Sequence, residues 1–297
     1  MECAGHQSQT DSPVTPRTDR SAVVVGVDGT TVSLNAARWA GYLAGALRAP
    51  LSIVHVVPRP EPAGVSVRSR GARPDPDGIV EQTAELVRTS VDDLDIGFER
   101  GYGATDSTLV ERSERARYLV VGMHTVLGTG LIGRTTMHLV TRAHCPVVVW
   151  RGTVGRPIPR RLAVAVGVDG TRLSDPAIGH AFELAAAFGV PVRAVHSWPP
   201  GIEPIGRHVG AQDAARALLS ESVSDWRRKF PAVPVIESAV PGPAVPVLVR
   251  ASAQAQLVVV GSRSRESAAA VFLGSTSRDL LHRARCPVLV CGDAAIE

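Results

Sequence analysis

The chain repeats itself. Val23-Val24-Val25-Gly26-Val27-Asp28-Gly29-Thr30 returns as Ala163-Val164-Ala165-Val166-Gly167-Val168-Asp169-Gly170-Thr171, an offset of 169 − 28 = 141. Three more matches follow in the same order: Val54-His55 with Val195-His196, Leu119-Val120-Val121-Gly122 with Val258-Val259-Val260-Gly261, and the Cys145-Pro146-Val147 ending with Cys286-Pro287-Val288. A period near 140 is far too long for a solenoid repeat and is the size of a domain, so the chain reads as a duplicated domain. With 297 residues there is enough chain for two independent cores. The expected organisation is a tail over 1–20, one domain over 21–151, a Gly/Pro/Arg-rich linker over 152–160 and a second domain over 161–292.

Within each half, short β-branched runs alternate with longer segments of helical period, the pattern of a parallel sheet covered by helices. Strands are expected near 22–27, 51–57, 96–100, 118–122 and 146–150, and again near 162–168, 192–197, 233–239, 256–260 and 286–291. The first helix is expected over Ser33 to Arg48 with Leu34, Ala37, Tyr42 and Leu47 on one face, and Asp213 to Lys229 reads as the second helix of the second half. The strand runs are continuous in hydrophobicity, as strands buried on both faces are. The predicted fold class is therefore α/β, with two tandem five-stranded parallel sheets. The last strand of each half, Val147 to Trp150 and Val288 to Cys291, reads as an edge strand.

Composition narrows the function. Hydrophobic residues make up 44% of the chain and charged residues 20%, and no apolar run approaches the roughly 18 residues of a membrane-spanning helix. Residues 1–20 hold no apolar core of a secretory signal, and the four cysteines show no metal-ligand spacing. The expectation is a cytoplasmic protein with reduced thiols, no resident metal and no membrane partner. A net charge of +4 without aromatic-interleaved basic clusters argues against nucleic acid.

Open α/β sheets bind ligands beyond the carboxyl ends of their strands, where the strand order reverses. Two features fall there: the acidic turns Asp28-Gly29 and Asp169-Gly170, and the glycine-bearing loops from Gly122 to Gly133 and from Gly261 to Gly274. Glycines let successive N–H groups face an anion, and the free N–H groups of the following helix favour phosphate. Ser275 or Thr276 adds a hydroxyl there. Neither Gly-x-x-x-x-Gly-Lys-[Ser/Thr] nor Gly-x-Gly-x-x-Gly after the first strand is present, which argues against a P-loop NTPase and a dinucleotide-binding domain.

These residues resemble the universal stress protein family in its tandem form, over nearly all of Ser21 to Cys291. The carrying features are the V-G-V-D-G-T turns, the V-H pairs, the V-V-G loop starts and the C-P-V endings. Members of that family that bind ATP carry G-x2-G-x9-G-[ST] in the loop. The second half reads Gly261-x2-Ser264-x9-Gly274-Ser275, with Ser264 in place of the second glycine. The first half reads Gly122-x2-Thr125, then seven residues to Gly133, then Arg134. Its loop is two residues shorter, since Gly261 − Gly122 is 139 whereas Gly274 − Gly133 is 141. If the shortening removes two charge-assisted bonds to phosphate, the loss is roughly 3–6 kcal/mol, enough to turn a micromolar site into a millimolar one. Arg134 could return part of this by pairing with a phosphate.

The resemblance implies a nucleotide site formed in the second half by Asp169 and Ser197 at the adenine and ribose, with Gly261, Ser264, Gly274, Ser275 and Thr276 at the phosphates. Asp28, Val56, Gly122, Gly133 and Arg134 would form a weaker site in the first half. The implied cofactor is ATP, with or without Mg, and the implied role is regulation in stress adaptation through a protein partner. In that family the fifth strands pair across a dimer interface, which the resemblance implies a tandem chain can imitate internally, and a homodimer is compatible with it. The competing reading is a nucleotide-independent interaction scaffold using sheet edges and the Pro-rich loops over 58–77 and 198–207. An enzyme is not expected, because neither a paired carboxylate nor an activated nucleophile accompanies Asp169. A receiver-like phospho-acceptor lacks the acidic cluster and nearby lysine it needs. His55 and His196 read as structural strand-end histidines.

Overall fold

The computed structural model describes residues 21–57, 76–123, 132–151, 161–198, 208–262 and 273–292. The first half runs β1 (Ala22–Val27), α1 (Thr31–Leu47), β2 (Leu51–Val57), α2 (Pro76–Arg88), β3 (Ile96–Tyr102), α3 (Thr105–Ser113), β4 (Ala116–Gly122), α4 (Arg134–Arg142) and β5 (Val147–Trp150). The second runs β6 (Ala163–Val168), a 3₁₀ turn (Arg172–Ser174), α5 (Asp175–Phe188), β7 (Val192–Trp198), α6 (His208–Lys229), β8 (Val235–Pro241), α7 (Ala244–Ser252), β9 (Ala255–Gly261), α8 (Ser275–Arg283) and β10 (Val288–Cys291).

All pairings inside a half are parallel, and β5 and β10 join antiparallel, so the halves form one ten-stranded sheet in the order β3-β2-β1-β4-β5-β10-β9-β6-β7-β8. The fifth strands are edges of their own half and pair with each other within the chain, the internal joint that a tandem form is expected to make, so in the whole chain both are central and buried. Each cancels the other's unpaired N–H and C=O row. The outer edges are β3 and β8, whose residues are mostly exposed or half-buried.

The continuous apolar runs of the inner strands face two cores. Val23, Val25, Tyr118, Val120, Val164, Val166, Leu257 and Val259 point to one face, with α1, α2, α5 and α6. Val24, Leu119, Val121, Val258 and Val260 point to the other, with α3, α4, α7 and α8. Each core runs through both halves without a break at the β5–β10 joint.

Helix α1 begins at Thr31, capped by the Thr30 side chain accepting from Ser33 N, and ends at Arg48 in the left-handed conformation. Of its expected face only Ala37 is fully buried. Leu34, Tyr42 and Leu47 are only half-buried, and Trp39, Ala36, Ala40 and Leu43 face the core. The small residues let the helix lie close on the sheet while Trp39 and Leu43 fill the space. In α6, Leu219 and Val223 are fully buried, with Leu218 and Trp226 packed beside them.

The halves also meet through a polar seam. Tyr118 on β4 donates from its hydroxyl to Glu183 Oε2 of α5 at 2.6 Å. Its single proton being used there, it accepts from His180 Nδ1 at 2.8 Å. Arg117 pairs with Glu183 Oε1. Burial by itself would raise the Glu183 carboxyl, but hydrogen bonds from His180, Tyr118 and Arg117 outweigh it and hold it at about 2. Burial, then the Glu183 charge, pushes the Tyr118 phenol up. On the other side of the sheet, Arg151 donates to the carbonyl oxygens of Leu280 and Leu281 at the end of α8. Sequence pattern gave His180 no role; its i,i+3 spacing to Glu183 on one helix was the visible signal.

Candidate functional site

In each half the strand order reverses between the first and fourth strands, which opens a crevice beyond their carboxyl ends. In the second half this crevice is a cavity of about 270 Å³. Its walls are the ends of β6, β7 and β9 and the starts of α7 and α8.

Strand β6 ends in Val168 and the chain turns through Asp169 and Gly170, where φ is +79°. Asp169 Oδ1 accepts from Thr171 N at 2.9 Å and from its hydroxyl at 2.7 Å. This Asx turn holds the carboxylate at the cavity wall. Beside it, His196 on β7 donates from Nδ1 to Val168 O at 2.8 Å. The bond fixes the proton on Nδ1, stacks the ring near Trp198 at a centroid distance of 6.2 Å, and accounts for the buried histidine structurally. Ser197 follows at the strand end.

Strand β9 ends in Gly261. Ser262 N donates to Cys291 O at 2.7 Å. Helix α8 starts at Ser275 behind Gly274, which supplies no side chain to accept a bond from the first-turn N–H groups. Ser277 Oγ donates to Gly261 O at 2.9 Å and ties the helix start to the strand end. The first turn of α8, with Ser275 and Thr276, therefore lines the same cavity as Asp169 and Ser197.

Of the residues expected at this site, Asp169, Ser197, Gly261, Gly274, Ser275 and Thr276 all line the one cavity. Ser264 lies outside the described residues, as do the Pro-rich loops at 58–75 and 199–207. Ser174, Ser262 and Ser277 line the cavity without having been expected, although each neighbours an expected residue or turn in sequence. Ala244 and Leu248 on α7 line it as well, and nothing in sequence pointed to them, because α7 reaches the site only through the strand order.

The first half repeats the frame but not the lining. Asp28 Oδ1 accepts from Thr30 N at 3.0 Å and from its hydroxyl at 2.7 Å, and His55 Nδ1 donates to Val27 O at 2.8 Å. Gly29 has φ +81°. At the position of Ser197 stands buried Val56, and at that of Ser262 stands Met123, packed on the core. Helix α1 presses on the strand end: a Cβ at Gly122 would lie 2.9 Å from Val32 Cγ1 and 3.1 Å from its backbone. Gly133 precedes α4 without a side-chain cap, and Arg134 is its exposed first residue. Thr125 lies outside the described residues.

Among the described residues no group of three or more His, Cys, Asp or Glu could hold a metal, and no helix is long and apolar enough to cross a membrane. Cys286 and Cys291 are buried free thiols, and Cys145 is buried as well. Burial pushes Cys286 up to about 12 and raises Cys291 further, so neither carries thiolate near neutral pH.

Comparison with known proteins agrees with this frame. The model of the universal stress protein family matches residues 20–151 and again 162–292. A universal stress protein of Mycobacterium tuberculosis is 35% identical over 291 residues, covering 90% of this chain and 96% of that protein. A second from the same species is 30% identical over 299 residues, covering 92% and 96%. The crystal structure of a universal stress protein from Archaeoglobus fulgidus superposes with a TM-score of 0.64 at 15% identity, covering 92% of this chain and 98% of that one, a likeness of fold. Two matched domains, full-length relatives and a shared architecture together show that the chain belongs to the universal stress protein family, in its tandem form.

Proposed function

We propose that the protein is an adenine-nucleotide-binding regulator of stress adaptation, without fast chemistry, in which the second domain holds ATP and the first holds it weakly. The observation that carries this reading is the convergence of six expected residues on one cavity, with an uncapped helix start opposite Asp169. The α8 N–H groups and the Ser275 and Thr276 hydroxyls suit phosphate oxygens, Asp169 suits a ribose hydroxyl, and Ser197 suits the polar edge of adenine. Bound ATP supplies charge and ordering, which would bias the domain between conformations of different affinity for a protein partner. Val56 and Met123, apolar residues that stand where the second domain's cavity has Ser197 and Ser262, support its weaker binding. Ser264 and Mg are parts of the proposal that rest on the family resemblance. The 21–151 and 161–292 domain bounds and a cytoplasmic location belong to the same reading.

The test is calorimetric titration of ATP, with and without Mg, into nucleotide-stripped protein. Gly274 sits at φ −55°, ψ 149° and Gly133 at φ −59°, ψ 146°, backbone that any residue adopts. Aspartate at either place caps its helix while repelling phosphate, so lost binding is not misfolding. One site per chain, abolished by Gly274→Asp and kept in Gly133→Asp, is the expected result. Two sites would mean Arg134 and its neighbours serve the first domain. No binding at millimolar ATP would overturn the nucleotide reading and leave the scaffold, for which the exposed Phe98 and Tyr102 on edge strand β3 speak.

A further inference from the structure

The seam between the domains holds a charged cluster on one side of its pseudo-two-fold, and the equivalent residues on the other side are uncharged. The 141-residue offset makes Trp39 and Tyr42 of α1 the equivalents of His180 and Glu183 of α5, a correspondence anchored by Arg48 and Gly189, both left-handed at the ends of their helices. Strand registers match Val23↔Tyr118 with Val164↔Leu257, so Tyr118 corresponds to Leu257 and Arg117 to Gln256. The polar set Arg117, Tyr118, His180 and Glu183 thus draws two members from each domain. Its mirror set, Gln256, Leu257, Trp39 and Tyr42, carries no charge.

We propose that this cluster is a pairing code, which makes each domain accept the unlike domain across the central joint and reject a second copy of itself. The consequence follows from the equivalences. If two first domains joined by the same two-fold, Tyr118 and Arg117 would face Trp39 and Tyr42, and the Arg117 guanidinium would lose its carboxylate on both sides. If two second domains joined, Glu183 and His180 would face Leu257 and Gln256, and each Glu183 would keep only His180 of its own helix, without the Arg117 guanidinium or the Tyr118 hydroxyl. Only the unlike pairing lets Glu183 accept from Arg117 and Tyr118 together. Strands β5 (Val-Val-Val-Trp) and β10 (Val-Leu-Val-Cys) are both short, buried, uncharged runs, so the charges of the seam lie outside the ladder itself. Arg117 is half-exposed but Glu183 is mostly buried, and leaving a mostly buried carboxylate without its partners is unfavourable, whereas replacing the whole set by apolar groups is not. These four side chains therefore favour the unlike pairing, beside the Arg151 bonds to α8 on the opposite face of the sheet.

The full chain carrying Val148→Cys tests this. Val148 lies opposite Leu289 in the joint, so a thiol introduced there meets the same thiol of a second chain only if two first domains pair. Chains are refolded from urea under mild oxidant, and disulfide-linked dimer is read on a non-reducing gel against the same chain without Val148→Cys. The code requires background levels in the otherwise unchanged chain. It requires at least about tenfold more dimer with Arg117→Gln and Tyr118→Leu added, because the like pairing is then relieved and Glu183 loses its cation in the unlike one. Adding His180→Trp and Glu183→Tyr to that variant makes both sides of the seam alike. It must fold as a compact chain yet still cross-link above background, which separates selection from mere stability. Equal cross-linking in all backgrounds, or none in the folded fourfold variant, would overturn the proposal.

Discussion

Val148 and Leu289 are register partners in the antiparallel β5–β10 pair, and they are also each other's equivalents, since 289 − 148 is 141. The pseudo-two-fold of the molecule therefore passes between these two side chains. Both are fully buried, one in each half's contribution to the central strands.

Because Val148 and Leu289 belong to a core that runs through both halves, the domains should unfold together. Scanning calorimetry is expected to show one cooperative transition. Leu289→Ala should lower the stability of the whole by about 2–5 kcal/mol. Two separated transitions, with only the later one moved by Leu289→Ala, would contradict a shared core.

The Glu183 carboxyl is held at about 2 in the folded chain against an ordinary 4.5. A folded value below the unfolded one means its stabilisation is complete above about pH 4.5 and is lost as pH falls toward about 2, up to about 3 kcal/mol in all. Urea midpoints should therefore drop between about pH 6 and about pH 3, and the drop should be smaller in Glu183→Gln. An equal drop in both chains would assign the acid sensitivity elsewhere.

Tyr118→Phe removes one hydroxyl and nothing else. It leaves Glu183 Oε2 and His180 Nδ1 with each other at 3.4 Å in place of bonds of 2.6 and 2.8 Å. The expected cost is about 1–3 kcal/mol by denaturant titration. A neutral effect would mean that water replaces the phenol at the seam.

Gly170 holds φ at +79°, and a Cβ there would meet Leu218 Cδ1 at 2.7 Å. Gly170→Ala should cost about 1–2 kcal/mol for the left-handed backbone alone and should weaken ATP binding by moving Asp169. Gly29→Ala in the first domain, where the nearest atom is Ile79 Cδ1 at 3.2 Å, should cost less and leave the second domain's binding intact. Isothermal titration of both variants distinguishes the two.

Much of this protein is legible in its sequence. The repeat, the ten strands, the Asx turns at Asp28 and Asp169 and the glycine-to-helix start at Gly274 are local features, each decided by residues a few positions apart through turn chemistry, strand propensity and capping. The buried face of α1 was less legible, because an Ala-rich helix offers several stripes and only the sheet beneath it selects the one with Trp39 and Leu43. The cavity wall formed by Ala244 and Leu248 comes from the strand order. The seam of Arg117, Tyr118, His180 and Glu183 joins residues 62 to 66 positions apart, on a strand of one domain and a helix of the other. Local sequence sets the shape of each half. The pairing of the halves, and with it the setting of Glu183, is decided by tertiary structure, because a charge finds its partner across the joint only when both sheets have formed and met.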